Sequence, residues 1–428
     1  MRSPGAPWTV RLYGVAANLI APLAYGRVKR KLTAQGTDPA RLKERLGHAT
    51  APRPGGRLMW FHAASVGESL SVLRLISHLG ARDPALSFLL TSGTGTSANV
   101  LAKRLPPRTT HQFAPLDTRA ALDRFLSHWE PSAAVFVESE LWPHMLSRTA
   151  ARGIPMALIN ARISDRSARN WARAPKTARH LMDHFRMIHC QDTRTADHLT
   201  ALGLTQAQAG VNLKSLAGAL PCDPAELDRM KGAIQDRPVW LAASTHPGEE
   251  EVVLEAHRAM LGQDPDALLI LVPRHPERAD AIEVQIAEAG MEGARRSTGM
   301  VLTGQTRVYL ADTLGEMGLW YALSPLTCLC GSFSDVGGHN PYEPAYAGSA
   351  IVHGPRYANF APAYAELAAQ NAAIEVADAK ALARVLHRFL DDPDGLDAMR
   401  DRAHAFADAR DDVLDGFADR LSKALALG

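Results

Sequence analysis

Short apolar runs alternate along the chain with longer segments whose apolar positions recur every three or four residues. The runs are LMWF (58–61), SFLLTS (87–92), AAVFVES (133–139), PMALIN (155–160), VWLAAS (239–244), ALLILVP (267–273), LTCLC (326–330) and AIVHG (350–354). Between them, SLSVLRLISHLG (69–80) and EEEVVLEAHRAMLG (249–262) have helical spacing. Unbroken apolar runs suit strands buried on both faces, and helices between them predict parallel sheets. The fold class is therefore α/β, with doubly wound, Rossmann-like sheets.

One stretch nearly repeats. HAASVGESL (62–70) and LAASTHPGEEE (241–251) both read as strand, Ala-Ala-Ser, Gly-Glu turn and helix. Two domains built on one plan account for that. The segment around 215–237, with Pro221, Asp223 and Pro224, reads as a linker with one short helix. The expected organisation is a segment 1–31, an N-terminal domain 32–217 and a C-terminal domain 218–428. Ligands of such sheets bind beyond the carboxyl ends of the strands, so two facing domains would share a central cleft.

The segment 1–31 departs from this pattern. LYGVAANLIAPLAYG (12–26) carries no charge and is followed by RVKRK. It is shorter than the ~20 apolar residues a spanning helix needs, and its basic cluster follows the run, unlike a signal peptide. A helix lying on or dipping into a membrane surface is expected, with the cations at anionic headgroups. Residues 1–45 hold nine Lys/Arg against Asp38 and Glu44, whereas the whole chain is near balance at +2. That balance gives no reason to expect a nucleic-acid partner. The four cysteines, Cys190, Cys222, Cys328 and Cys330, have neither zinc nor disulfide spacing, which suits a reducing compartment. No HExxH motif points to a metal.

Candidate chemistry lies in the loops after the apolar runs. Glu68 opens a helix; it is either a first-turn acid favoured by the helix dipole or a general base. Glu138 and Glu140 in VESELWPH lie two apart, and Glu138 directly follows a buried-strand pattern. STHPGEEE offers Ser244, His246 and a helix N-terminus suited to an anion. LVPRHPER pins Arg274 and His275 between Pro273 and Pro276. DVGGHNPYEPAYAG (335–348) combines Gly337-Gly338, which permits close backbone approach, with Glu343, a carboxylate able to hold sugar hydroxyls.

Together with NARISDRSAR (160–169), NLK (212–214), DTLGEM (312–317) and RLKERLG (41–47), these motifs resemble, in order and over nearly the whole chain, the 3-deoxy-D-manno-octulosonic acid (Kdo) transferases of Gram-negative bacteria. The resemblance implies a GT-B fold. It also implies inverting transfer of Kdo from CMP-Kdo to a lipid A precursor, lipid IVA, at the cytoplasmic face of the inner membrane, with no cofactor and no metal. The N-terminal domain would take the lipid and the C-terminal domain the CMP-sugar. The family's proton acceptor falls on Glu68, and two groups that stabilise the transition state fall on Glu138 and Lys214. CMP contacts fall on Pro273, Arg274, Leu314, Gly315, Glu316, Asn340, Pro341, Tyr342 and Glu343, with Ser244 and His246 further donor-side candidates. Four places depart from the family's habit: Val211 for Gly before NLK, Ser215-Leu216 for Phe-Asp after it, His144 for Asn, and Tyr342 for Leu. A nucleotide-sugar epimerase, with a related two-domain plan, is the alternative enzyme. A non-catalytic CMP-sugar sensor, in which Glu68 only caps its helix, is the alternative outside catalysis.

Overall fold

The computed structural model describes residues 7–216 and 218–427. The first six residues of the expected membrane segment, Ala217 at the expected boundary, and Gly428 lie outside the described residues. The chain forms two compact units, one of Met1–Ala217 with Asp412–Gly428, the other of Gly218–Asp411. The second unit thus stops short of the C-terminus.

In the first unit the strands are β1 (Arg57–His62), β2 (Leu86–Ser92), β3 (Thr109–Phe113), β4 (Ala133–Val137), β5 (Met156–Ala161), β6 (Phe185–Cys190) and β7 (Ala207–Ala209). They pair in the order β3-β2-β1-β4-β5-β6-β7. In the second unit they are β8 (Val239–Thr245), β9 (Leu268–Pro273), β10 (Gly293–Arg295), β11 (Val308–Leu310), β12 (Leu326–Leu329), β13 (Ala350–His353) and β14 (Ala373–Glu375), paired as β10-β11-β9-β8-β12-β13-β14. Every ladder among the described residues is parallel. Each order reverses beside the unit's first strand, between β1 and β4 and between β8 and β12. These are the switch points where open α/β sheets hold ligands, and the two near-repeats follow β1 and β8.

Alternation along each first strand fills a core on both faces. Leu58 and Trp60 join one cluster of the first unit, while Met59 and Phe61 join the other. Leu241 and Ala243 divide from Trp240 and Ala242 in the same way. Trp60 is wholly buried, and its indole N–H donates to Thr91 Oγ1 at 2.8 Å, so its polar edge costs nothing extra to bury. Burying an aromatic of this size contributes on the order of 2–3 kcal/mol. The helix Pro224–Ile234 is the short helix expected in the linker region. Cys328 and Cys330 are both buried and unpaired.

The N-terminal helix runs from Trp8 to Ala34 with Pro22 inside it. Its only buried residues are Gly14 and Leu32. Gly14 meets the ring of His144, and Thr9 Oγ1 lies 2.6 Å from Thr177 Oγ1. Trp8, Leu12, Val15, Leu19, Ile20 and Leu23 stay exposed; five of them recur at spacings of three and four, which places them on one face. No described helix is long and apolar enough to cross a membrane.

At the other end, the helix Pro393–Ala424 begins in the second unit and finishes in the first. There Leu414, Phe417, Leu421 and Leu425 complete the cluster that holds Met59 and Phe61.

Gly47 closes the turn Pro39–Leu46 at φ +85°, and a Cβ there would lie 1.9 Å from the carbonyl oxygen of Ala121. Gly47→Ala adds left-handed strain to a backbone collision. It is expected to destabilise the first unit by about 2–4 kcal/mol, read as a lowered calorimetric transition with the second unit's transition unmoved.

Candidate active site

At the first switch point Glu68 is the third residue of the helix Val66–Arg82, whose N-cap is Ser65. Ser65 and Glu68 bond reciprocally: the Glu68 amide donates to Ser65 Oγ at 3.3 Å, and Ser65 Oγ donates to Glu68 Oε1 at 2.8 Å. The Ala64 amide donates to Oε2 at 2.9 Å. This is a variant of the capping box, with the acid reaching one residue further back. Burial raises the Glu68 pKa, the bonds from Ser65 and Ala64 oppose that rise, and repulsion from Glu140 and Glu138 adds to it. A helix cap has no need of a raised pKa; a base does.

Glu138 follows β4 in the left-handed region at φ +58°, its amide bonded to the carbonyl of Ile159. Lys214 Nζ lies 3.4 Å from Glu138 Oε1. The structure therefore joins these two residues, 76 positions apart in sequence, in one ion pair. Their meeting depends on Asn160, which ends the apolar run of β5 at φ +52°. Its Oδ1 accepts the Leu213 amide at 3.0 Å and so holds the turn Leu213–Leu216 that carries Lys214. Ser215 and Leu216, the departures after NLK, are buried within this turn.

Glu140 points elsewhere. His62 Nε2 lies 3.2 Å from its Oε2, and the Trp142 indole N–H donates to the same oxygen. Burial would raise its pKa, but the bond and charge of His62, with Trp142, outweigh burial and hold it below the ordinary carboxylate value. Arg45, from RLKERLG, and Asp117 line a 170 Å³ cavity with His62, Ala64, Gly93, Glu140 and Trp142. Asp117 accepts the His144 and Met145 amides and bonds Tyr13 of the N-terminal helix. Glu140 is one of the two acids that VESELWPH offers, but Asn160, His62 and Asp117 do not stand out individually by sequence. Asn160 and His62 lie inside motifs that do, NARISDRSAR and HAASVGESL, whereas Asp117 carries no local signal.

At the second switch point the helix Glu249–Gln263 turns its first side chain onto the neighbouring loops. The Glu249 carboxylate accepts the His246 amide at 2.9 Å, the Gly331 amide at 2.7 Å, the Phe333 amide at 2.9 Å and Ser334 Oγ at 3.3 Å. It is 1 % exposed and ties the loop after β8 to the loop after β12. Ser244 lies at φ +60°, and His246 Nε2 faces His339 Nε2 at 2.9 Å. Pro273 ends β9, and the exposed Arg274 follows it. Leu314 is 81 % exposed beside Gly315 at φ +91°. Glu316 pairs with Arg296 at 2.6 Å; burial opposes, but Arg296 and Thr313 hold it below the usual carboxylate value. Asn340 Nδ2 donates to Glu343 Oε1 at 3.2 Å, and Pro341 caps the helix Tyr342–Tyr346. Tyr342 is buried and stacks on Phe406 with ring centroids 4.9 Å apart. Its ring therefore packs in the core. No cluster of three metal-ligating side chains occurs among the described residues.

Glu249→Ala leaves these four donors facing an apolar methyl. A loss of about 3 kcal/mol or more is expected, with faster hydrogen exchange at the Gly331 and Phe333 amides as the local readout.

Residues 40–216 match the family profile described as "3-Deoxy-D-manno-octulosonic-acid transferase (kdotransferase)". The chain is 30% identical over 416 residues to the 3-deoxy-D-manno-octulosonic acid transferase of Rickettsia bellii, covering 97% of this chain and 99% of that one. It is 34% identical over 370 residues to that of Rickettsia felis, covering 86% and 79%. Among solved structures, a glycosyltransferase from Rickettsia africae superposes with a TM-score of 0.58 at 10% identity, covering 87% of this chain and 99% of that one, which supports the GT-B fold. The epimerase alternative drew on that two-sheet plan alone, and identity of this extent over nearly the whole length decides against it. The chain belongs to the 3-deoxy-D-manno-octulosonic acid transferase family.

Proposed function

We propose that this protein transfers Kdo from CMP-Kdo to a hydroxyl of a lipid A precursor, with inversion at the anomeric carbon. The observation that carries the reading is the arrangement at the first switch point: a glutamate of raised pKa, Glu68, with Glu138 at the end of the neighbouring strand and paired to Lys214. Glu68 takes the proton of the acceptor hydroxyl as its oxygen attacks. The bond from the anomeric carbon to the phosphate oxygen breaks and CMP leaves with the electron pair. Positive charge develops on the sugar, which Glu138 offsets; Lys214 meets the negative charge of phosphate or sugar carboxylate. Charges held in place before the reaction act without solvent reorganisation. The second unit supplies the nucleotide contacts, through Pro273-Arg274, the Leu314–Glu316 turn and the Asn340–Glu343 loop. Asn340 and Glu343 are already bonded to each other, which orients the carboxylate for sugar hydroxyls.

A lipid acceptor and a position at the cytoplasmic face of the inner membrane are supported by three features of the first unit. The exposed apolar stripe of the N-terminal helix suits insertion among acyl chains. Lys29, Arg30 and Lys31 lie further along the same helix, at headgroup depth for a helix resting on the surface. The helix Asp165–Ala172 buries no side chain and, with the residues after it, exposes Arg166, Arg169, Arg173 and Lys176. A 760 Å³ cavity lies beside Trp8, Thr9, Arg173 and Lys176, and an anionic, acylated molecule matches that mixture.

Two measurements test this. The purified protein, CMP-Kdo and a tetraacyl precursor should give a Kdo-bearing lipid by mass spectrometry. Glu68→Gln should lower kcat by about 10²–10⁴ with CMP affinity kept. A base must be unprotonated, so the wild-type rate should fall as pH drops, and the raised Glu68 pKa places that fall above the ordinary glutamate range. Unchanged turnover in Glu68→Gln would leave Glu68 a helix cap. Separately, Leu12→Glu with Leu19→Glu should reduce partitioning onto anionic phospholipid vesicles by about tenfold or more; retained partitioning would remove the helix from the membrane.

A further inference from the structure

Three histidines gather around the carboxyl ends of β8 and β9, and the proposed mechanism uses none of them. His246 Nε2 and His339 Nε2 are 2.9 Å apart, with ring planes 10° from parallel. The His275 ring stands 5.7 Å from that of His246. His339 is held firmly: Tyr364 donates to its carbonyl at 3.0 Å. Gly331, at φ +72°, leaves it room, since a Cβ there would come within 2.8 Å of the imidazole. Two ring nitrogens at this distance hold a single proton, one ring donating and the other accepting.

The charged groups around the pair leave it facing cations. Glu249 and Glu250 act on His246, as do His275 and Arg274. Glu249 is occupied by its four donors, and Glu250 by Arg278 and Thr245. His275 Nδ1 lies 3.6 Å from Glu277. His339 is acted on by His246 and Arg274. Burial first, and then these cations, push His339 down to about 4; burial also leads the lowering of His246. Arg274 is exposed, and its guanidinium makes no bond among the described residues. The free site is thus a neutral imidazole pair beside an uncommitted guanidinium.

We propose that the His246–His339 pair, with Arg274 and His275, is a proton-loading receptor for an oxyanion of the donor. A bound phosphate or carboxylate draws one proton from solvent onto the pair, the shared hydrogen bond opens, and each ring presents an N–H to the anion. The inference rests on the reading that this unit binds a CMP-sugar. An oxyanion finds one donor too few in the neutral pair and both donors in the protonated one. Because the anion raises the imidazole pKa, the bound state holds more protons. Affinity therefore grows as pH falls from the bound-state pKa towards the free-state one, and is flat above both.

The test is titration calorimetry of the full chain near pH 7, in two buffers of different ionisation enthalpy. The probes are the methyl ester of CMP, a diester that does not itself titrate there, then cytidine, then free Kdo. Uptake of about one proton per bound diester, with none for cytidine, is expected if the phosphate is the anion. Uptake with Kdo and not with the diester assigns the site to the sugar carboxylate. His246→Gln and His339→Gln should each abolish uptake and weaken binding of that probe at least about tenfold, with melting followed by circular dichroism to show that they fold. Binding of diester and Kdo without proton uptake in the wild type overturns the proposal while leaving the donor reading intact. So does uptake that persists in both variants. If neither probe binds and CMP-Kdo is not turned over, the donor reading falls and the proposal with it.

Discussion

Twice in this chain a glutamate follows a glycine in the first turn of the helix after a sheet's first strand, and its carboxylate must find N–H and O–H donors. How it finds them decides what each unit can do. Glu249 finds four and is sealed, and by that it fixes two loops at the second switch point. Glu68 finds an amide and a hydroxyl, remains half-buried and carries a raised pKa. A carboxylate accepting many bonds is stabilised as the anion and loses basicity. One accepting few, near other acids, keeps it. The same turn thus serves as a clamp in one unit and as a reactive group in the other.

The reactive groups of the first unit depend on backbone strain. Glu138 and Asn160 both lie in the left-handed region at the ends of adjacent strands. Such residues cost roughly 1–2 kcal/mol each, and in compensation they turn side chains away from the sheet's alternation. Asn160 uses that turn to grip the loop bearing Lys214, and Glu138 uses it to reach Lys214. Val211 and Ser215-Leu216, where the sequence departs from its family's habit, flank this grip without interrupting it.

Much of the architecture was legible because buried parallel strands must be apolar on both faces. All eight runs read as strands correspond to strands of the two sheets. The strands that escaped notice are short or polar: TTHQF of β3, FRMIHC of β6, and the three-residue β7, β10, β11 and β14. Their side chains are partly exposed or too few to make a run, so hydrophobic patterning carries no signal for them. In the site, motif residues stood out, whereas the contacts between them did not. His62 opens the HAASVGESL motif yet reads there only as the end of a strand, and Asp117 as a loop acid, until the fold brings one to Glu140 and the other to Tyr13. The Glu249 carboxylate, which sequence reads as a helix-capping acid, instead gathers amides from two loops, a contact that joins residues more than eighty apart.

The helix Pro393–Ala424 changes the order in which the molecule can be finished. Its last turns supply Leu414, Phe417 and Leu421, with Leu425 just beyond, to the core of a unit whose sheet was complete some two hundred residues earlier. On the ribosome, the sheet that emerges first therefore waits with one of its two core clusters unfinished while the whole second unit is made. Domains usually close in the order of synthesis; here the first to begin is the last to close, and exposed apolar surface during that delay is where a holding chaperone would act.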